Sequence, residues 1–277
     1  MKRDLEVLRA IAREASTLVM KVYATDFTVD YKSADDPVTR ADREANALII
    51  EALAKHFPDA GICAEESAPV DQAALTAITE KHRVFFVDPV DGTREFANKS
   101  GEFCVMIGMA IDGSPSAGVV AIPVEDKLIW GSLDGGTYCE SLAEGGEPKR
   151  LVIGAPHPAL RAVVSRSHPS PRTRLILEKL AVVDQVPCGS VGVKAARVIE
   201  GVADLYVHPS NGAKLWDACA PEALIKSAGG VMTNIDGNAI DYRGALGVER
   251  GLIATSRQLL PRVLAAIGVE PPPSLAD

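Results

Sequence analysis

The stretch that most constrains this chain is Val84-Phe85-Phe86-Val87-Asp88-Pro89-Val90-Asp91-Gly92-Thr93. Four consecutive β-branched or aromatic residues predict a short buried strand. The strand runs straight into a turn carrying two carboxylates, a proline, a glycine and a hydroxyl, so a core element delivers a polar cluster to its own end. Asp88 and Asp91, three apart across a tight turn, can converge on a hard cation, and all-oxygen ligation suits magnesium better than zinc or copper. Pro89 stiffens the turn and removes one backbone donor. Gly92 lets a ligand approach the chain closely, and a helix starting near Thr93 would offer free amides to a phosphate. An isolated Asp-x-x-Asp is also what a plain strand-to-helix turn with an aspartate cap looks like. Partners elsewhere in the chain decide between the two.

The 277 residues suffice for one large domain or two intimately packed halves. With 37 acidic against 29 basic residues the net charge is −8, which disfavours nucleic-acid polymers and anionic membranes as partners. An anionic substrate must therefore be small and met by local positive charge or metal. Cys63, Cys104, Cys139, Cys188 and Cys219 are scattered and never form a Cys-x-x-Cys pair, which argues against a disulfide framework or a zinc site. Near the start, Leu5, Leu8, Ile11, Ala15, Leu18 and Val22 recur at helical spacing among acids and bases, predicting an amphipathic helix and not a signal or transit peptide. No apolar run is long enough to span a bilayer. A cytoplasmic protein is expected.

Along the chain, residues 29–36 read as polar and turn-rich, and a second helix follows, ending near Phe57-Pro58 with Asp42 in its first turn. Gly61–Ala64 predicts a strand delivering Glu65-Glu66, adjacent residues that would point opposite ways, one inward as a ligand and one to solvent. Residues 69–82 read as helix. Strands at 103–111, 117–122, 128–132 and 137–140, joined by short connections, predict an antiparallel meander. A loop over 144–148, rich in Gly, Glu and Pro, marks the softest boundary, between an α+β half at 1–148 and an α/β half at 149–277. In the second half, strands at 162–165, 182–186, 203–208 and 252–255 alternate with helices at 173–180 and 193–200, one after Trp216-Asp217, and one ending at Ile267. Asp217 reads as that helix's N-cap and Pro221 as a first-turn proline. Residues 270–277 read as a loose tail.

Asp42, then Glu65-Glu66, then Asp88-Pro89-Val90-Asp91-Gly92-Thr93, then Trp216-Asp217-Ala218-Cys219-Ala220 resemble, in that order, the magnesium-dependent, lithium-sensitive phosphatase superfamily that includes inositol monophosphatase. The resemblance implies an α+β fold, a layered αβαβα sandwich. It implies two or three Mg²⁺ ions held by Glu65, Asp88, Asp91, Asp217 and the carbonyl of Val90, with inhibition by Li⁺. Asp42 and Thr93, with Glu65, would act on the attacking water, and the Gly92 and Thr93 amides would hold the phosphate. Metal pairs of this kind activate a water on one side of phosphorus and stabilise the leaving oxygen on the other, and phosphoryl transfer needs positioning and charge neutralisation above all.

Glu95 and Phe96, Ser165-Arg166-Ser167-His168 and Ser190-Val191-Gly192-Val193-Lys194 look like the 3'(2'),5'-bisphosphate nucleotidase branch. That implies a nucleotide pocket lined by Ser165, Arg166, His168, Ser190 and Lys194. Lys194 would meet a second phosphate as a point charge, Arg166 would be a further cation, and His168 would stack on or hydrogen-bond adenosine. Inositol-type relatives carry a glutamate seven residues before the helix aspartate; here that position is Ser210, whose hydroxyl cannot replace a carboxylate on a diol. Ala64-Glu65-Glu66-Ser67, in contrast, is closer to the inositol type. The expected activity is hydrolysis of the 3'-phosphate of adenosine 3',5'-bisphosphate, with a role in sulfate assimilation, by a monomer or homodimer. The alternatives are an inositol or sugar phosphatase and, more distantly, a binding protein without activity. Against the last stands the presence of every expected carboxylate and of Thr93.

Overall fold

In chain order the elements are α1 (Lys2–Tyr23), β1 (Val29–Ser33), β2 (Asp36–Thr39), α2 (Arg40–His56), β3 (Gly61–Ala64), α3 (Gln72–Thr79), β4 (Arg83–Asp91), α4 (Thr93–Ala97), β5 (Cys104–Ile111), β6 (Ser114–Ile122), β7 (Lys127–Ser132), β8 (Gly136–Ser141) and β9 (Gly145–Leu151). They continue as β10 (Arg161–Ser165), α5 (Pro171–Lys179), β11 (Asp184–Cys188), α6 (Val191–Ile199), β12 (Leu205–His208), α7 (Leu215–Ser227), β13 (Gly230–Asn234), β14 (Leu252–Ser256) and α8 (Leu260–Ile267). This computed structural model describes residues 1–33, 36–167 and 170–270. Strand β3 runs parallel to β4, and β4 through β9 form an antiparallel meander completing a sheet of seven strands. The second sheet has the order β11-β10-β12-β14-β13, parallel on the β11, β10, β12 side and antiparallel on the other.

The alternation along β4 builds the layers. Phe85 and Val87 face a core shared with α1 and α2, whereas Val84 and Phe86 face a second core shared with α6 and α7. The small sheet closes that middle layer from the other side, and its far face is covered by α5 and α8. The result is the αβαβα sandwich the sequence implies. Helix α7 sits against the large sheet because two glycines, Gly108 and Gly118, stand opposite one another on β5 and β6. A Cβ at Gly108 would lie 2.5 Å from the Ala220 amide nitrogen, and one at Gly118 2.6 Å from the Ala220 carbonyl oxygen. The helix is buried nearly all round, and it is this seat that fixes where its first turn points.

Several sequence expectations change. Residues 29–33 and 36–39 form two antiparallel strands in which Val29 pairs with Thr39 and Asp30 with Val38. The helix expected over 69–82 contracts to α3, where Asp71 caps the Ala74 amide at 2.9 Å. The expected loop at 144–148 lies largely within β9, which pairs with β8 on one side only, and an edge tolerates its glycines and Pro148. Strand β13, which opens on a glycine, was not foreseen. Helix α7 begins one turn earlier than expected: Asp217 is its third residue, not its cap, and Pro221 lies inside the helix. The Pro221 ring cannot donate to the Asp217 carbonyl four residues back, and burial on both sides holds the helix together there. No helix among the described residues is long and apolar enough to cross a membrane.

Candidate active site

The end of β4 and the first turn of α7 meet in a cluster of acids. One carboxylate oxygen from each of Asp88, Asp91 and Asp217 lies within 4.8 Å of the other two. Each aspartate is aimed by a backbone or hydroxyl donor. Asp88 Oδ1 accepts from the Val90 amide at 3.0 Å, and Asp217 Oδ2 from the Lys214 amide at 2.7 Å. Asp91 Oδ2 accepts from the Ser190 hydroxyl at 2.6 Å and the Gly192 amide at 2.7 Å, both at the start of α6. Burial, then repulsion from Glu65 and Asp91, drives the Asp88 acid well above the carboxylate range, and burial, then Asp91, does the same to Asp217. A cluster of buried oxygens that cannot all ionise by themselves is a donor set for hard divalent cations. The residues present therefore fit a magnesium site.

Glu65 enters from the single 3-10 turn that follows β3 and lines the same cleft. Sequence spacing had the two glutamates diverging; instead Lys32 of β1 takes both, at 2.8 Å from Glu65 and 2.7 Å from Glu66. The pair rides a turn and not a pleat, so neighbours need not alternate. Burial raises the Glu65 acid to about 7 against the pull of Lys32. Behind the cluster stands Asp42, fully buried in the first turn of α2. Its Oδ2 accepts from the Thr39 amide at 2.8 Å and the Thr39 hydroxyl at 2.6 Å, a capping box that fixes the side chain. Its Oδ1 lies 2.9 Å from the Thr93 hydroxyl, which is also 3.0 Å from the Val90 carbonyl. The one hydroxyl proton serves either acceptor. Gly92, at φ 94°, makes this turn workable, because a Cβ there would meet the Glu102 carbonyl oxygen at 2.8 Å and Ser190 Cβ at 3.2 Å.

Beside the carboxylates opens a cleft of about 400 Å³ that brings Ser165, Ser190 and Lys194 together with Thr93 and Asp217. Lys194, on α6, is 4% exposed, and its ammonium lies 5.4 Å from the centre of the Tyr206 ring. Arg166 does not line the cleft. It makes a two-pronged ion pair with Glu102, at 2.8 Å and 2.6 Å, and donates to the Pro187 carbonyl at 2.9 Å. His168 lies outside the described residues. Sequence reasoning missed Tyr206, His208 and Lys32. The first two stand two apart on β12 and so share one face, a signal present in the run Leu205-Tyr206-Val207-His208; nothing in the sequence marks Lys32. Ser210 does reach the cleft, 3.1 Å from His208 Nε2.

Against known proteins, residues 1–269 match the Inositol monophosphatase family. The chain belongs to that family. Among its relatives, the rat protein "3'(2'),5'-bisphosphate nucleotidase 1" is 32% identical over 269 residues, covering 84% of this chain and 83% of its own. The "3'(2'),5'-bisphosphate nucleotidase CysQ" of Salmonella typhimurium is 34% identical over 241 residues, covering 86% and 93%. Among solved structures, CysQ from Bacteroides thetaiotaomicron, described as a bacterial member of the inositol monophosphatase family, aligns with TM-score 0.76 at 26% identity over 91% of this chain and 97% of that one. The Thermotoga maritima IMPase aligns with TM-score 0.79 at 23% identity over 97% of both chains and shares the fold. This member of the inositol monophosphatase family is thus an enzyme, a phosphatase.

Proposed function

We propose that the protein is a Mg²⁺-dependent, Li⁺-sensitive 3'(2'),5'-bisphosphate nucleotidase that converts adenosine 3',5'-bisphosphate to AMP and phosphate. The observation that carries the choice of substrate is Lys194, a buried lysine facing a cleft that adjoins the carboxylate cluster. A buried ammonium is costly without an anion, and a bisphosphate supplies one at a distance from the phosphate that reacts. The names of the relatives agree with this reading, and a place in sulfate assimilation in the cytoplasm follows from it. Ser210, where an inositol-type enzyme would need a carboxylate, supports the same choice.

In this reading Glu65, Asp88, Asp91, Asp217 and the Val90 carbonyl hold the metal. Bound Mg²⁺ supplies charge neutralisation and an acidified water. The protein's own groups do the rest. The Gly92 and Thr93 amides take oxygens of the 3'-phosphate, and the Thr93 hydroxyl, held between Asp42 Oδ1 and the Val90 carbonyl, orients the attacking water and relays its proton toward Asp42. The bond from phosphorus to the 3'-oxygen breaks and that oxygen takes a proton. Ser165, Ser190 and Lys194 position the nucleotide, with His168 proposed to meet the base.

The test is Mg²⁺-dependent phosphate release from adenosine 3',5'-bisphosphate, 3'-AMP and inositol 1-phosphate, with and without Li⁺, for the wild type and Lys194→Met. The bisphosphate should have the highest kcat/KM, and Lys194→Met should raise its KM about tenfold or more while leaving 3'-AMP nearly unchanged. A preference for inositol 1-phosphate, or equal losses on both nucleotides, overturns the assignment.

A further inference from the structure

Arg166 follows Ser165, which lines the cleft, yet its own guanidinium is engaged by Glu102 and the Pro187 carbonyl. Its Nε and one terminal nitrogen grip Glu102 in the planar, two-pronged geometry that only arginine offers. The same Glu102 Oε2 accepts from the Gly189 amide at 2.8 Å. Arg166 also donates to the Pro187 carbonyl, and its own amide donates to the Cys188 carbonyl at 3.0 Å, so it is tied to the segment leading into Gly189 at two points directly and at a third through Glu102. Glu102 is held ionised by this arrangement, the Arg166 hydrogen bond first and the Gly189 amide with it lowering its acid below the usual range.

The next residue explains why so many bonds converge there. Ser190 has φ 36° and ψ 130°, a left-handed conformation that an L residue keeps only when its surroundings enforce it. On one side it is enforced by the clamp on Gly189, which itself cannot carry a side chain because a Cβ would lie 2.3 Å from Glu95 Cγ. On the other side Ser190 Oγ accepts from the Val193 amide at 3.0 Å and donates to Asp91 Oδ2 at 2.6 Å. The strained turn thus holds Oδ2 of one carboxylate of the cluster, Asp91, which stands with Asp88 and Asp217.

We infer that Arg166 and Glu102 form a positioning pair that fixes the Gly189-Ser190 turn and through it sets the Asp91 carboxylate for metal binding. The inference rests on the proposed reading of Asp91 as a ligand. It replaces the sequence-based expectation that Arg166 meets a substrate phosphate. An exposed ion pair alone contributes little; this one matters because Glu102 carries a backbone amide as well.

The measurement is Mg²⁺ binding by calorimetry without substrate, together with kcat and KM on adenosine 3',5'-bisphosphate and 3'-AMP, for Arg166→Ala, Arg166→Lys, Glu102→Ala and the double variant. Loss of an outer partner of a metal ligand typically weakens binding about 10- to 100-fold. Arg166→Ala and Glu102→Ala should each weaken Mg²⁺ about tenfold or more and lower kcat equally on both nucleotides, with KM nearly unchanged. The double variant should be no worse than either single one, because the residues act as a unit. Arg166→Lys, which keeps the charge but not the fork, should recover little and serves in place of Arg166→Ala should that protein not fold. Unchanged Mg²⁺ affinity in Arg166→Ala, with KM raised for the bisphosphate alone and restored by lysine, overturns the inference in favour of direct phosphate contact. A wild type that binds no Mg²⁺ removes the proposed metal site itself, and this inference with it.

Discussion

Gly108→Ala tests whether the seat of α7 sets the geometry of the acidic cluster. The added Cβ would stand 2.5 Å from the Ala220 nitrogen, 2.6 Å from Cys219 Cβ and 2.7 Å from Cys219 Sγ. Carbon atoms rest in contact at about 3.5 to 4.0 Å, so the opposed backbone must retreat by about 1 Å. The helix cannot yield at one residue, because Gly118 presses on the same Ala220 and both helix faces are buried. It moves as a body and takes Asp217, less than one turn upstream, with it. Overpacking of this kind costs about 1–3 kcal/mol, or about 2–6 °C in Tm for a chain of this size. A catalytic group displaced by about 1 Å costs about 100-fold in rate. The expected result is therefore a modest loss on thermal melting beside a large loss in Mg²⁺-dependent phosphate release. Gly154→Ala is the control, since nothing lies within 4 Å of its Cβ position. A Gly108→Ala enzyme that melts lower but keeps most of its activity would refute the coupling between the seat and Asp217, and one indistinguishable from wild type would refute the clash itself.

Thr93→Ala removes the hydroxyl between Asp42 and the Val90 carbonyl, and kcat should fall by about 10²- to 10⁴-fold while calorimetric Mg²⁺ affinity stays close to wild type; a kcat within a few-fold of wild type speaks against the relay. Asp88→Asn removes one of several buried acids that repel each other, so the metal-free protein should melt no lower than wild type, while the rise in Tm on adding Mg²⁺ disappears; an undiminished rise would show that Asp88 holds no metal. Arg197 grips Glu125, whose acid its hydrogen bond lowers from 4.5 to about 2, across the join between the halves. A depressed acid contributes stability that is present above 4.5 and lost as pH falls toward about 2. Glu125 is partly solvated, so about 1 kcal/mol is expected and not the full shift, and the melting gap between wild type and Arg197→Ala should narrow from pH 5 to pH 2. A constant gap would assign the effect to packing.

What the sequence disclosed was whatever needed no distant partner. The β4 run and its Asp-rich turn could be read because alternation and a polar end are local facts, and so could the capping position of Asp42. The directions of Glu65 and Glu66 could not, since they depend on a 3-10 turn replacing a pleat and on Lys32 arriving from a strand that looked like a polar loop. The start of α7 was hidden because Lys214 has no capping chemistry, and it is Asp217 that reaches back to the Lys214 amide. Strand β9 was hidden by glycines and a proline that only an edge position permits. The target of Arg166 was hidden most deeply of all. Its partner Glu102 is 64 residues away in a stretch between α4 and β5 that has no pattern of its own.

The site draws on every layer but the outermost one behind the small sheet. Asp88 and Asp91 end β4, the strand beside the edge strand β3 of the large sheet, Asp42 opens a helix on its outer face, and Asp217 lies in the first turn of the helix in the middle layer. Lys194 comes from α6 and Tyr206 from β12 of the small sheet. Neither sheet alone holds a complete site, so the carboxylates can be brought to within a few ångströms of one another only after both sheets have packed on α6 and α7. The repulsion that results is carried by the two apolar cores flanking β4, which have no part in the chemistry. A cation among the acids would relieve that repulsion, and a bisphosphate reaching to Lys194 would compensate the buried ammonium. Metal and substrate should therefore stabilise the protein together by more than the sum of their separate effects, since the cation neutralises the acids that would repel a phosphate and the phosphate in turn attracts the cation.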